Sequence, residues 1–216
     1  MQARHKTHQS GVARDSGVLH WIYLKYYVRS HRIIPVFCFA MITAALLSLL
    51  GQTPLSIPQF FVSGMIPAVF ATLLVLIYPV LLAAIFYTPA VRIEVVKTVN
   101  VPQIRLWDVF AVMAVLLGPL VYLLIEPEYS RNAVAALLLM MVLSLYIPLV
   151  ASLGVLVAWV LVQNSVLGFS ELWVWKIMTF IPRDAPALVD AGITLFGVVV
   201  IVALLPFWKR RIHRYT

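Results

Sequence analysis

The chain has 216 residues, of which 63% are hydrophobic and 11% are charged, and its formal net charge is +8. A soluble domain has about 45–50% apolar and roughly 25% charged residues, so the composition excludes an ordinary soluble domain and indicates a protein whose solvent is lipid. The basic residues flank the apolar segments, where anionic lipid is the expected partner, and nucleic acid is not expected to bind.

Residues 1–17 are polar and predict a flexible cytosolic N-terminus, whereas residues 18–32 predict an amphipathic helix. The basic residues of this helix recur at helical spacing on one face: Lys25, Arg29 and Arg32. The opposite face carries Leu19, Tyr23 and Tyr27. Trp21 is of the type that prefers the boundary between water and lipid. We expect an interfacial helix along the cytosolic surface, and the alternative is a simple extension of the first span.

Long stretches without Asp, Glu, Lys or Arg predict the membrane-crossing segments. They separate Arg32 from Arg92, Asp108 from Glu126, Arg131 from Glu171, and Asp190 from Lys209. A helix needs about 20 apolar residues to cross the hydrocarbon region. A β-barrel strand would alternate apolar and polar residues, and the continuous apolar run at 73–77 does not. The pattern predicts an all-α integral membrane protein.

Six transmembrane helices are predicted within a domain that covers residues 33–208. The spans are assigned to 33–51, 60–87, 108–125, two parts of 132–168, and 187–208. As one helix of 1.5 Å per residue, 132–168 would be about 55 Å long against a hydrocarbon core of about 30 Å, so a turn is placed near Ser144 and Pro148. The prolines in 52–58 predict a short turn, and 126–131 predicts a tight loop.

The distribution of basic residues predicts the orientation. With six crossings, both termini and the connection at 88–107 share one side, which holds 13 of the 16 Lys and Arg residues. The positive-inside rule makes that side cytosolic. We therefore expect a multi-pass protein of the inner (plasma) membrane with both termini cytosolic, ending in a basic tail over 209–216.

The sequence contains no pattern that predicts catalysis, a metal site or a cofactor. There is no Walker A motif for ATP, and none of the five histidines lies in a predicted span. Ion-coupled transporters usually place charges in the middle of a span, and here the acidic residues Asp108, Glu126 and Asp190 fall at span ends, where solvation is expected. The chain is therefore not expected to be an enzyme. We predict no catalytic residue, no metal ligand and no cofactor-binding residue in it.

The connection at 88–107, between the second and third predicted spans, contains a further pattern. It contains a Glu, a Pro and basic residues in the order Arg92, Glu94, Lys97, Pro102 and Arg105. With the helix at 18–32 and the basic tail, this layout resembles the ABC-2 type permeases, the membrane subunits of bacterial ABC exporters. The resemblance also implies that the outer segment at 169–186 is re-entrant.

The resemblance implies a permease subunit that exports a hydrophobic or peptide-like substrate. Two permease subunits would pair as a homo- or heterodimer, and each would contact a separate ATP-binding-cassette ATPase subunit through 92–105 and the first helix. Glu94, Lys97 and Arg105 would carry the ATPase contact. The alternative for these three is ordinary loop charges that set the topology, and Pro102 is expected to stop a helix.

Two other functions fit the same sequence. One is a non-transporting scaffold, assembly factor or immunity subunit of a larger membrane complex, since the lack of charge within the spans suits it equally. The other is the substrate-binding membrane subunit of a vitamin importer, which ranks lower because it needs neither the basic connection nor the interfacial helix.

Overall fold

The computed structural model describes residues 21–22, 24–50, 54–58, 65–69, 74–87, 102–166 and 186–212. Its named helices are α1 (Ile33–Leu50), α2 (Ile77–Phe86), α3 (Pro102–Tyr122), α4 (Pro127–Leu143), α5 (Leu149–Val166) and α6 (Ala187–Ile212). Two strands, β1 (Pro54–Pro58) and β2 (Met65–Val69), form a hairpin. Residues 24–30, here called the N-terminal segment, are also helical. The predicted N-terminus at 1–17, and Arg92, Glu94 and Lys97 of the connection, lie outside the described residues, as does the segment at 169–185.

Three of the described helices are long and apolar enough to cross a membrane: Ile33–Leu50, Arg105–Tyr122 and Ala187–Arg211. The stretches Ile77–Phe86 and Leu149–Val160 are apolar but shorter. These helices support a helical membrane protein. The count of six spans and the interfacial position of the N-terminal helix remain predictions.

The second predicted span, 60–87, is not one helix, and 52–58 is not only a turn. β1 and β2 pair antiparallel, with Ser56 opposite Pro67, and the helix α2 follows at Ile77–Phe86. Pro67 explains the difference, because proline removes an amide donor and clashes within a helix. Pro79 is tolerated because the first turn of a helix leaves its N–H groups unpaired in any case. The helical fold class is confirmed, and this short hairpin is a local addition to it.

Two prolines stand at the first position of a described helix, Pro127 of α4 and Pro102 of α3. α4 begins at Pro127, so the tight loop predicted at 126–131 is wrong and the turn lies at 123–126. The described part of α3 begins at Pro102, and the prediction that Pro102 stops a helix concerns residues 88–101, which lie outside the described ranges. A proline at the first position of a helix loses no hydrogen bond and already has a helical φ. The turn predicted near Ser144 and Pro148 is confirmed, because α4 ends at Leu143 and α5 begins at Leu149.

A sharp turn separates the N-terminal segment from α1. Arg32 has a φ of 53°, in the left-handed region that non-glycine residues seldom adopt. The N-terminal segment is therefore not a simple extension of α1. Lys25 and Arg29 are exposed on it, and Trp21 is exposed just before it, whereas Tyr27, predicted on its apolar face, is buried.

The core lies between α1, α2, α3, α4 and α6. Its fully buried side chains include Tyr78, Ile85, Phe86, Val112, Leu116, Met140 and Ile201. Large apolar side chains are exposed on the outer faces, for example Phe39 on α1, Phe110 on α3 and Phe196 on α6. Such apolar exposure on several faces is expected of helices that contact lipid or a second subunit.

Glycine lets α2 approach α3 closely. A Cβ at Gly118 would lie 2.7 Å from Tyr78 Cε1, 2.8 Å from Tyr78 Oη and 3.0 Å from the Ala40 carbonyl oxygen. Interfaces between membrane helices favour small residues for this reason. Gly118 therefore makes room for a buried tyrosine between α1, α2 and α3.

The Gly118→Ala variant is expected to lose about 1–3 kcal/mol of unfolding free energy, because the added methyl group has no space in this contact. Gly154→Ala is the matched control, since nothing lies within 4 Å of a Cβ there, and it should be neutral or slightly stabilising. Unfolding of both variants in detergent micelles, followed by tryptophan fluorescence, measures the difference. Equal stability of the two variants would show that the contact at Gly118 is not tight.

Candidate functional site

A buried carboxylate joins three separate parts of the chain. The Tyr27 hydroxyl donates to Asp108 Oδ1 at 2.6 Å, and Lys209 Nζ donates to Oδ1 at 2.7 Å and to Oδ2 at 2.9 Å. Asp108 is 6% exposed and Lys209 is 7% exposed. We call Tyr27, Asp108 and Lys209 the Asp108 junction. It links the N-terminal segment, the start of α3 and the last turn of α6.

Aromatic rings enclose this junction. The His31 ring stacks on Tyr27 with centroids 4.0 Å apart, and the Trp107 ring lies 5.4 Å from Tyr27. Lys209 Nζ lies 5.9 Å from the centroid of the Phe86 ring, within the range of a cation–π contact. Because the rings exclude water, the attraction between the ammonium and the carboxylate is less screened than at a surface. The junction is therefore a fixed contact.

The end of α6 is also fixed to the turn between α4 and α5. Trp208 Nε1 donates to Ser144 Oγ at 2.5 Å, and Ser144 in turn donates to the Met141 carbonyl oxygen at 2.9 Å. Arg211 Nε donates to the Leu145 carbonyl oxygen at 3.1 Å. The last turns of α6 therefore form polar bonds with the turn between α4 and α5, in addition to the bonds with Asp108 at the start of α3.

A second buried ion pair lies at the opposite end of α6. Arg131 Nη1 donates to Asp190 Oδ1 at 2.6 Å, and both side chains are buried. Arg131 Nε and Nη2 each lie 3.3 Å from Asn132 Oδ1, and Nη2 is 3.7 Å from the half-exposed Glu128. Asp190 stands in the first turn of α6, where the helix dipole also favours a negative charge. We call this contact the Arg131 pair.

The distance between the two ion pairs matches the thickness of a membrane. Asp190 and Lys209 are 19 residues apart in one helix, which corresponds to about 28 Å at 1.5 Å per residue, whereas the hydrocarbon core is about 30 Å thick. The expectation that Asp108 and Asp190 are solvated is wrong. Each instead has a buried cationic partner, and such a partner offsets the cost of removing a charge from water.

The structure places part of the predicted coupling region beside the Asp108 junction. Pro102 begins α3, and Arg105 is exposed on α3, one turn before Asp108. Trp21, Lys25, Arg29 and Arg32 are exposed on or next to the N-terminal segment. Asp108 therefore connects two of the elements that the resemblance assigned to coupling. Arg92, Glu94 and Lys97 are not described.

The junction and the Arg131 pair were not predicted as sites. A usable signal was present, because the predicted six-span topology puts Asp108 and Lys209 at span ends on one side of the membrane, and Arg131 and Asp190 at span ends on the other. Opposite charges at span ends on one side are candidates for pairing, but the sequence does not show which helices are neighbours.

The end of the bundle that carries the Asp108 junction is basic. Its exposed cations are Lys25, Arg29, Arg32, Arg105 and Arg210. Of the four carboxylates among the described residues, only Asp108 lies at this end, and Lys209 neutralises it. Across the described ranges, no group of three or more His, Cys, Asp or Glu side chains is placed to hold a metal ion.

Comparisons of this chain with protein-family models, with curated proteins and with solved structures give no match. The two ion pairs and the basic end of the bundle are the observations from which a function is argued.

Proposed function

We propose that this chain is the permease subunit of an ATP-binding-cassette transporter of the ABC-2 type, driven by a separate ATPase subunit. It is a six-span protein of the inner (plasma) membrane with cytosolic termini, and it exports a hydrophobic or peptide-like substrate. The observation that carries the proposal is the Asp108 junction. It connects the N-terminal segment to α3, which follows the connection at 88–107, and it connects both of them to the end of α6.

The junction supplies what an externally driven permease requires, a stiff path from the ATPase contact to the spans. Arg105 lies three residues before Asp108 in the same helix. A displacement of the connection at 88–107 would therefore move α3 as a body. Because the Asp108 carboxylate binds both Lys209 and Tyr27, α6 and the N-terminal segment would follow. Rigid-body shifts of packed helices are a known route for such transitions.

The distribution of charge supports the proposed orientation. The exposed cations lie at the end with the Asp108 junction, whereas Glu126, Glu128 and the Arg131 pair lie at the other end. Basic residues collect on the cytosolic side of membrane proteins. The exposed apolar faces of α1, α3 and α6 offer surface for lipid and for a second permease subunit, identical or different.

Affinity purification of the chain from its native membranes in mild detergent is expected to retain an ATPase subunit that has a P-loop. The exposed Lys25, Arg29 and Arg105 offer a basic surface for its docking. Mass spectrometry of the purified material identifies the partner. Recovery of the chain alone, or with subunits of a larger complex that contains no ATPase, would contradict the permease and favour the scaffold.

A charge reversal tests the docking surface. The double variant Lys97→Glu and Arg105→Glu is expected to retain much less ATPase while still inserting in the membrane. Arg210→Glu is the matched control, because it also reverses an exposed cation at the same end but lies on α6 and not on α3. If both variants retain the ATPase equally well, Lys97 and Arg105 are only loop charges.

A further inference from the structure

A groove opens between the end of α6 and the turn that joins α4 to α5. It has a volume of about 420 Å³ and is lined by Leu145, Tyr146, Phe207, Arg210 and Arg211. We call it the Arg210 groove. It belongs neither to the Asp108 junction nor to the coupling connection, and nothing in the proposed transport cycle uses it.

Arg210 gives the groove a positive charge that no described carboxylate offsets. Arg210 is exposed, and no ion pair forms between it and the carboxylates of the described residues. Arg211 is held at the groove wall because its Nε donates to the Leu145 carbonyl oxygen. Asp108, the carboxylate at this end, is already bound to Lys209. The groove therefore attracts an anion from outside the described chain.

Apolar side chains lie directly beside these arginines. Phe207 is 70% exposed and Tyr146 is 75% exposed. An occupant that satisfies the whole groove must be an anion with an apolar portion next to it. A free inorganic anion would leave both rings uncovered.

The position of the groove along α6 identifies the occupant. The apolar, membrane-length part of this helix ends where the basic residues 209–211 begin. The groove is therefore at the depth of lipid headgroups, where aromatic rings meet the first acyl carbons and guanidinium groups meet phosphates. Basic pockets between membrane helices are known to bind anionic headgroups.

We propose that the Arg210 groove binds an anionic phospholipid, with its phosphate at Arg210 and its acyl chain against Phe207 and Tyr146. The proposal requires that α6 crosses a bilayer. It does not depend on an ATPase partner, so it can fail or succeed independently of the transport function.

Lipid titration of the full chain tests the site. The purified protein is titrated with phosphatidylglycerol or phosphatidylcholine, and native mass spectrometry measures bound lipid. Phosphatidylglycerol is expected to bind preferentially, and Arg210→Gln is expected to weaken it roughly fivefold, the contribution of one arginine near an anionic surface. Arg105→Gln is the matched control, an exposed arginine at the same end of the bundle, and should leave the preference unchanged.

Four results would overturn the proposal. The first is equal binding of both lipids to the unaltered protein. The second is an equal effect of Arg210→Gln and Arg105→Gln, which would show only a general attraction of basic residues. The third is displacement of phosphatidylglycerol by inorganic phosphate, which would make this a site for a free anion. If Arg210→Gln instead releases the ATPase and leaves lipid binding unchanged, the groove docks protein and not lipid.

Discussion

The Asp108→Ala variant is expected to lose about 3–5 kcal/mol of unfolding free energy, the usual cost of removing one partner from a buried ion pair. The substitution removes the carboxylate that Lys209 and Tyr27 share. The buried ammonium then loses the opposite charge that offsets its desolvation. Titration of the protein in mixed micelles with a denaturing detergent, followed by tryptophan fluorescence, measures the change.

Two further variants separate the ion pair from general damage. Arg210→Ala removes an exposed cation next to Lys209 and should change stability by less than about 0.5 kcal/mol. The double variant Asp108→Leu and Lys209→Met replaces both charges by apolar groups and should recover much of the loss. If Asp108→Ala is as stable as Arg210→Ala, the junction contributes nothing and the proposed path through it fails as well.

The Arg131→Met variant is expected to cost a similar amount, about 3–5 kcal/mol, at the opposite end of the bundle. It leaves Asp190 buried at the start of α6 without the guanidinium that binds it at 2.6 Å. Arg131→Lys should lose less, because it keeps the charge, although it lacks the planar group that also reaches Asn132. The same unfolding titration measures all three proteins.

Glu128→Gln is the matched control for this pair. Glu128 lies 3.7 Å from Arg131 but is half exposed, and surface ion pairs contribute roughly 0–1 kcal/mol. A loss as large as that of Arg131→Met would mean that Arg131 is held by Glu128 and not by Asp190. Because the two buried pairs are about 28 Å apart along α6, the effects of Asp108→Ala and Arg131→Met should add.

Charge-free stretches predicted the long helices well because charged residues mark where a span leaves the membrane. The first span was predicted at 33–51 and is found at Ile33–Leu50. The last was predicted at 187–208 and is found at Ala187–Ile212, extended because Lys209 remains helical and bonds to Asp108. In both cases a change between apolar and charged residues marks one end of the apolar helix.

The hairpin at 54–69 and the ion pairs were not predicted, for two different physical reasons. Apolar composition suits a strand as well as a helix, so the hairpin was hidden in a long apolar run, and Pro67 was the signal against a helix. The ion pairs join residues 59 and 101 positions apart. Which helix is next to which depends on packing over the whole bundle, and one sequence does not contain that information in any local pattern.

The sequence predicted residues next to the Asp108 junction, but it did not predict the residues that form the junction. The resemblance directed attention to Pro102 and Arg105, and the structure places both in the first turns of α3, just before Asp108. The central residues Tyr27 and Lys209 were assigned to an interfacial face and to a basic tail. A tyrosine with a buried acceptor and a lysine with a buried carboxylate have the same sequence signature as surface residues.

The position of two ion-pair partners on α6, the last of the described helices, determines when the bundle can be completed during synthesis. Translation produces α3 and α4 well before α6, yet Asp190 and Lys209, which complete the two ion pairs, are both on α6. During translation, Asp108 and Arg131 therefore cannot form these two ion pairs until α6 has been synthesised. Assembly of the bundle is completed late, and a product that stops before Ala187 would lack the α6 partners of Asp108 and Arg131.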